Sequence, residues 1–154
     1  MYLVRRIFAV SLAALVASPS FAATVLPAET IVVVTPPEEI SSRDVKVGDA
    51  VSFRVMNDVT QSGVVVIPRG SNVKGEVTWR TGKGIVGKSA KFEVTFGSVN
   101  VAGHDWKLRG KIKQEGKGNT MAALLGSSII TGHSAIMVPG QQITVFTAED
   151  ITVQ

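Results

Sequence analysis

Residues 72–80 read NVKGEVTWR and residues 90–99 read AKFEVTFGSV, and these two stretches decide the fold. In each of them apolar and polar residues alternate, which is the pattern of a β-strand with one buried face and one solvent-facing face. The predicted inner face holds Val73, Gly75, Val77, Trp79, Phe92, Val94 and Phe96. The predicted outer face holds Lys74, Glu76, Thr78, Arg80, Lys91, Glu93 and Thr95.

The same alternation recurs on both sides of these stretches. Further strands are predicted at residues 30–35, 50–59, 64–67 and 104–113. Turns are predicted at Gln61-Ser62-Gly63, Pro68-Arg69-Gly70 and Val101-Ala102-Gly103, where glycine supplies backbone angles that other residues avoid. Short alternating strands at this spacing predict a mainly β domain, folded as a small antiparallel β-barrel or sandwich.

The two ends of the alternating region resemble each other. Residues 29–35, ETIVVVT, are echoed by residues 142–147, QITVFT. We therefore predict that these two segments pair as neighbouring strands. The chain contains no Cys, so no disulfide can staple the domain and its core alone must stabilise it.

The first 22 residues have the three parts of a secretion signal. Arg5 and Arg6 form the basic start, residues 7–17 are apolar, and Ser20 and Ala22 suit the small subsites of a signal peptidase. An uncleaved membrane anchor is the weaker alternative, because the apolar run is shorter than the roughly twenty residues that span a bilayer. We expect a signal peptide at 1–22, a single domain at 23–154 and a periplasmic location.

Residues 121–138 interrupt the alternation and contain no charged residue. Glycine-rich sequence precedes them, and Pro139-Gly140 follows. We predict one short apolar helical insertion at about 120–138, which either caps the barrel or contacts a protein partner or a membrane. The candidate contact residues are Met121, Leu124, Leu125, Ile129, Ile130, Ile136 and Met137.

Two features that could indicate an enzyme are interpreted otherwise. Residues 82–89, GKGIVGKS, match the nucleotide-binding P-loop pattern, but that site needs a helix next, and residues 91–96 alternate as a strand. His104 and His133 lack the spacing of a metal-ligand pair, and no nucleophile or paired carboxylates accompany them. The sequence predicts no catalytic residues, no cofactor, no metal site and no nucleotide.

Charge is segregated along the chain. Basic residues outnumber acidic ones between Arg69 and Lys117, whereas acidic residues dominate the rest of the segment expected after cleavage. A basic region can bind nucleic acid or an anionic membrane surface. We expect no nucleic acid, since an exported protein rarely meets it, and we interpret the lysines as a solvated outer face that resists edge-to-edge pairing.

Several stretches resemble a known family. Residues 65–76, 87–96, 100–106 and 138–151 resemble strands and turns in the C-terminal β-barrel of TrbI-type proteins, found in conjugation and type IV secretion systems. The resemblance implies a non-enzymatic barrel that builds an envelope-spanning ring, with a helical insertion that reaches the outer membrane. Residues 122–128 fall where that family carries its insertion. Because this chain has a signal peptide and a shorter insertion, we expect a stand-alone exported relative.

These observations lead to one expected function and one alternative. We expect an exported, non-enzymatic structural or interaction module of the bacterial cell envelope, which binds an envelope protein or itself and contacts the outer membrane. The alternative is a periplasmic barrel that binds a small apolar or anionic ligand at its mouth. A pocket lined by inward side chains would favour the ligand, and a packed interior would favour the contact module.

The signal peptide gives a prediction about processing. The protein isolated from the periplasmic fraction should begin at Ala23, because cleavage after Ala22 leaves small residues in the peptidase subsites. N-terminal sequencing of the fractionated protein measures this. An intact Met1 in the inner-membrane fraction would contradict it.

Overall fold

The structure is a computed structural model, and it describes residues 23–83, 88–116 and 133–153. These residues form β-strands and contain no helix. The first seven strands are β1 (Thr24–Leu26), β2 (Ile31–Thr35), β3 (Ile40–Ser41), β4 (Ala50–Val55), β5 (Val59–Gln61), β6 (Val64–Ile67) and β7 (Asn72–Thr81). The others are β8 (Lys91–Val101), β9 (His104–Arg109), β10 (Lys111–Glu115), β11 (Ile136–Met137), β12 (Ile143–Thr147) and β13 (Ile151–Val153).

Six strands close into an antiparallel β-barrel, so the prediction of a mainly β barrel or sandwich is confirmed as a barrel. Around the barrel they follow chain order, β2, β4, β7, β8, β9 and β12, and β12 then pairs with β2. The closing pair has Val34 opposite Ile143 and Val32 opposite Val145. The predicted pairing of the two similar end segments is thus also confirmed.

The interior is filled by side chains from every wall strand. The rings of Phe53 and Phe96 meet edge to face, with centroids 4.9 Å apart, and Phe53 is fully buried. Valines from β2, β4, β7, β8 and β12 surround them, and the alternation had assigned Val73, Val77 and Val94 to this inner face. The buried wall residues are Val32, Val34, Phe53, Val55, Val73, Val77, Phe92, Val94, Phe96, Val99, Val101, Leu108, Ile143 and Val145.

Two β-bulges bend the long hairpin of β7 and β8. Lys74 pairs with Ser98 and Gly75 with Phe96, so Gly97 is an extra residue on β8. Val77 pairs with Val94 and the register then shifts, which makes Thr78 an extra residue on β7. Bulges increase local twist and bend, which a sheet of few strands needs in order to close.

The bulge at Thr78 corrects the prediction for Trp79. Strict alternation assigned Trp79 to the interior, but the extra residue reverses the parity of the strand beyond Val77. Trp79 therefore lies on the outer face opposite Glu93, with 39% of its surface exposed. Trp106 is half-buried and packs against the core.

Short ribbons cover both ends of the barrel. At one end β1 pairs with β13, β5 pairs with β6, and Leu26, Ile67 and Ile151 join the core. At the other end β3 pairs with β11, and Ile40 and Met137 join the core. We call the second one the insertion end; it is formed by residues 36–49, the described parts of the chain between Thr81 and Lys91, and the described parts between Glu115 and Ile143.

The prediction of a helical insertion at about 120–138 is not supported by the described residues. Residues 120–132 lie outside them, and within the remainder Ile136 and Met137 form the strand β11, paired with Ile40 and Ser41. Their pairing with β3 explains the difference, because a complementary strand edge satisfies backbone groups that a helix would bond internally. The predicted strand at 50–59 is also interrupted, since β4 ends at Val55 and β5 begins at Val59.

The core predicts a specific role for Gly75, whose missing side chain leaves room for the aromatic pair. A Cβ at Gly75 would lie 2.8 Å from Val94 Cγ1 and 3.2 Å from Phe53 Cε2. We expect Gly75→Ala to lower the free energy of unfolding by about 1–3 kcal/mol through overpacking. Urea unfolding measures this loss.

Gly97→Ala is the matched control, because the nearest atom to its Cβ would be 3.7 Å away. It should change stability by less than about 1 kcal/mol. Equal losses in the two variants would show that the space around Phe53 is not the cause.

Candidate contact site at the insertion end

Both ends of the chain excursion between β10 and β11 are anchored at one point. The Gly116 amide donates to the Ala90 carbonyl at 3.0 Å, and the Ala90 amide donates to the His133 carbonyl at 3.0 Å. Residues 117–132, which lie between the two anchors in the chain, are outside the described residues. The excursion therefore leaves and returns to the barrel beside Ala90, which precedes β8.

Gly116 makes this close approach possible. A Cβ at this position would lie 2.4 Å from the His133 carbonyl oxygen and 2.7 Å from that of Ser134. Both atoms belong to the backbone, so no side-chain rotation could relieve the clash. A larger residue would force the two anchors apart.

Ser42 ties the returning chain to the end of the barrel. Its amide donates to the Ala135 carbonyl at 2.8 Å, and its Oγ accepts from the Ala135 amide at 3.0 Å. The Ser42 carbonyl accepts a hydrogen bond from Arg80 Nε at 2.8 Å, while Arg43 Nε donates to Ser134 Oγ at 2.7 Å. Ser42 is 2% exposed, so its two bonds to Ala135 lie out of solvent and hold β11 against β3.

Two of the candidate contact residues, Ile136 and Met137, lie in the described part of the chain, and they differ in exposure. Ile136 is 38% exposed, and Met137 beside it is fully buried in the core. Met137 therefore packs inside the barrel end and does not form part of a surface. The other five candidates, Met121, Leu124, Leu125, Ile129 and Ile130, lie outside the described residues.

The features that resembled catalytic or nucleotide sites are dispersed. Lys88 is exposed at the end of the P-loop-like sequence, and the segment that follows is the strand β8. His104 lies on β9 with its ring 4.5 Å from that of Trp106, and His133 is exposed beside Ala90. Among residues 23–83, 88–116 and 133–153, no group of three or more His, Asp or Glu could hold a metal ion.

Among the grooves lined by the described residues, two are well formed. One of about 340 Å³ crosses β7 and β8 and is lined by Lys74, Glu76, Thr78, Thr95 and Gly97 among others. Lys74 pairs there with Asp105 at 2.5 Å, and this bond lowers the pKa of Asp105, as does the bond from Asn100. The second groove, of about 240 Å³, opens beside β3 and is lined in part by Glu38, Glu39 and Asp44.

Sequence reasoning did not identify Ser42 or Gly116. Both act through the backbone of a distant segment, at positions where no alternation marks an inner or outer face. Gly116 carries one local signal, since it directly follows the last alternating residues of β10. The importance of Ser42 depends on Ala135, 93 residues away, and nothing near Ser42 in the sequence indicates it.

Neither the scan of family models nor the search of curated proteins finds a match. In the described part of the chain no helix is long and apolar enough to cross a membrane. The resemblance to TrbI-type proteins stays a prediction from sequence motifs.

The junction predicts unequal roles for two serines. Ser42→Ala should lower the free energy of unfolding by about 1–3 kcal/mol, because it removes the Oγ that accepts a hydrogen bond from the buried Ala135 amide. Ser134→Ala removes only the exposed bond from Arg43 and should cost less than about 0.5 kcal/mol. Thermal and urea unfolding of both variants measure the difference. A Ser134→Ala loss as large as that of Ser42→Ala would contradict the assignment.

Proposed function

We propose that this protein is an exported, non-enzymatic interaction module of the bacterial cell envelope. It acts in the periplasm after cleavage at Ala22, and it binds an envelope protein or a second copy of itself. The observation that carries the proposal is the anchored junction at Ala90, Gly116 and His133, which supports an uncharged apolar segment on a rigid barrel. Contact with the outer membrane is the further part of the proposal.

The barrel supplies rigidity to this arrangement. Phe53, Phe92 and Val94 are fully buried in a closed wall, and β3 and β11 hold the insertion end through backbone and serine hydrogen bonds. When a partner binds to a segment held on a rigid base, the base does not have to be ordered on binding. Less of the binding energy is therefore spent on conformational entropy. The segment's sequence provides the apolar residues Leu124, Leu125, Ile129 and Ile130 without any charge between Met121 and Val138.

The packed interior supports this proposal over a ligand-binding barrel. A barrel that holds a small molecule needs a cavity lined by inward side chains. Here the Phe53 and Phe96 rings occupy the middle, and a Cβ at Gly75 already has no room. Of the grooves described above, the larger is lined mainly by residues of the outer face of β7 and β8, and the other opens beside β3.

A relation to secretion or conjugation channels is proposed only from the sequence motifs. The turn at Pro68-Arg69-Gly70, which belongs to those motifs, is formed, with Gly70 at a φ of 83°. A turn of this kind is common to many β-folds, so it supports the fold and leaves the process open.

The proposal is tested by making the segment polar at constant length. In the four-fold variant Leu124→Ser, Leu125→Ser, Ile129→Ser and Ile130→Ser, the β-type circular dichroism and the cooperative melt should persist. Recovery in the membrane fraction or in oligomers should fall at least about tenfold, because the apolar contact area is lost. Cell fractionation and analytical ultracentrifugation provide the readouts.

The matched control lies at the opposite end of the barrel. Val64 and Val65 are 44% and 43% exposed there, so V64S/V65S removes apolar surface of the same kind. The control should behave as the wild type. Unchanged association in the four-fold variant, or equal loss in the control, would refute the proposed contact; loss of the β signal would show that the segment belongs to the core.

A further inference from the structure

Basic and acidic residues are separated along the sequence. Because the barrel strands follow chain order, they are separated across the molecule as well. Because consecutive strands are neighbours, β7 to β10 form one continuous wall. That wall and its described loops carry the bases Lys74, Arg80, Lys83, Lys88, Lys91, Lys107, Arg109, Lys111 and Lys113 against the acids Glu76, Glu93, Asp105 and Glu115. The remaining described residues are mainly acidic, with Glu29, Glu38, Glu39, Asp44, Asp49, Asp58, Glu149 and Asp150 against Arg43, Lys46, Arg54 and Arg69.

Trp79 lies within this basic wall, on its outer face. The bulge at Thr78 aims it outward, and bulges that re-aim a side chain are frequent beside functional sites. Across the sheet, Trp79 pairs with Glu93, and Glu93 pairs with Lys113. Lys113 Nζ lies 4.7 Å from the centroid of the Trp79 ring, so an ammonium group and an exposed indole form one unit.

Two carboxylates of this face, Glu93 and Glu115, are paired with lysines other than Lys113. Lys91 Nζ lies 2.6 Å from Glu115, and Lys111 Nζ lies 3.7 Å from Glu93. Among the described residues, Lys113 has no ion pair: Glu93 lies opposite it on β8, but the Lys113 Nζ lies over the Trp79 ring. The positive charge at Trp79 is therefore available to an external anion.

We propose that the outer face of β7, β8 and β10 around Trp79 and Lys113, which we call the Trp79 face, docks on an anionic phospholipid bilayer. An indole suits the boundary between headgroups and acyl chains, and lysines near it attract anionic headgroups. A lipid surface needs no matching shape, which suits an open sheet face with one aromatic and flanking lysines. This inference concerns a surface other than the apolar segment and depends on the proposed function only for the envelope location.

The test uses the mature chain with Trp106→Phe, which leaves Trp79 as the remaining one of the two tryptophans. With vesicles of phosphatidylglycerol and phosphatidylcholine at low salt, the Trp79 emission should shift to the blue and be quenched by lipid-borne quenchers. Vesicles of phosphatidylcholine alone should give no shift, and added salt should reverse it.

Charge variants identify the face. Lys113→Glu should weaken binding to the anionic vesicles about twentyfold, since each basic residue near the surface contributes roughly a factor of five and the reversal changes the charge by two. Lys113→Arg should bind as the parent does. Lys46→Glu makes the same change in net charge at an exposed residue outside β7 to β10, in the mainly acidic part of the molecule. It should weaken vesicle binding much less.

Each other result overturns the inference. No Trp79 shift, an equal shift with neutral vesicles, or equal weakening by Lys113→Glu and Lys46→Glu would exclude docking through this face. Salt-dependent oligomers without vesicle binding would show that the basic wall meets the acidic half of a second copy. The four-fold serine variant of the apolar segment should keep the Trp79 shift, so failure of the contact segment and failure of this face are distinguishable.

Discussion

The pairing of β2 with β12 is the constraint on which the rest of the structure depends. It joins the first and last wall strands, so it turns a linear series of hairpins into a barrel without free edges along the β2–β12 seam. In a closed antiparallel barrel, every second loop between wall strands lies at the same end. Closure therefore also fixes which loops share an end. The two excursions that follow β7 and β10 therefore leave from the insertion end, and Ala90 bonds to both anchors of the second one.

Much of this fold could be predicted because the alternation has a period of two and the interior requires apolar residues. Phe92 and Phe96 were assigned correctly for this reason. Trp79 was assigned wrongly, since one inserted residue in β7 reverses every later side chain, and a bulge leaves no clear local signal in a single sequence. Met137 was assigned to a contact surface because the whole uncharged stretch was treated as one unit, whereas its last residues pair with β3.

The candidate sites were less predictable than the fold, because they depend on contacts between residues that are far apart in the sequence. Ser42 and Gly116 act on the backbone of His133 to Ala135, and such long-range contacts exist only after closure. The separation of basic from acidic residues is visible in the sequence. Only the order of strands around the barrel shows that the basic residues share one wall. The proposed envelope module and the proposed Trp79 face thus both depend on the order of strands around the barrel.

The most direct measurement of that order is a cross-link across the closing seam. The Val33 carbonyl accepts from the Met56 amide on the β4 side, so Val33 and Thr144 are a pair without mutual hydrogen bonds, whose side chains approach closely. The chain has no other Cys, so within one molecule of V33C/T144C a disulfide can form only at this seam. The account predicts nearly complete oxidation in V33C/T144C and little in V33C/F146C, whose second cysteine lies two residues along the strand. Absent oxidation in the first variant, or equal oxidation in both, would contradict the closed barrel.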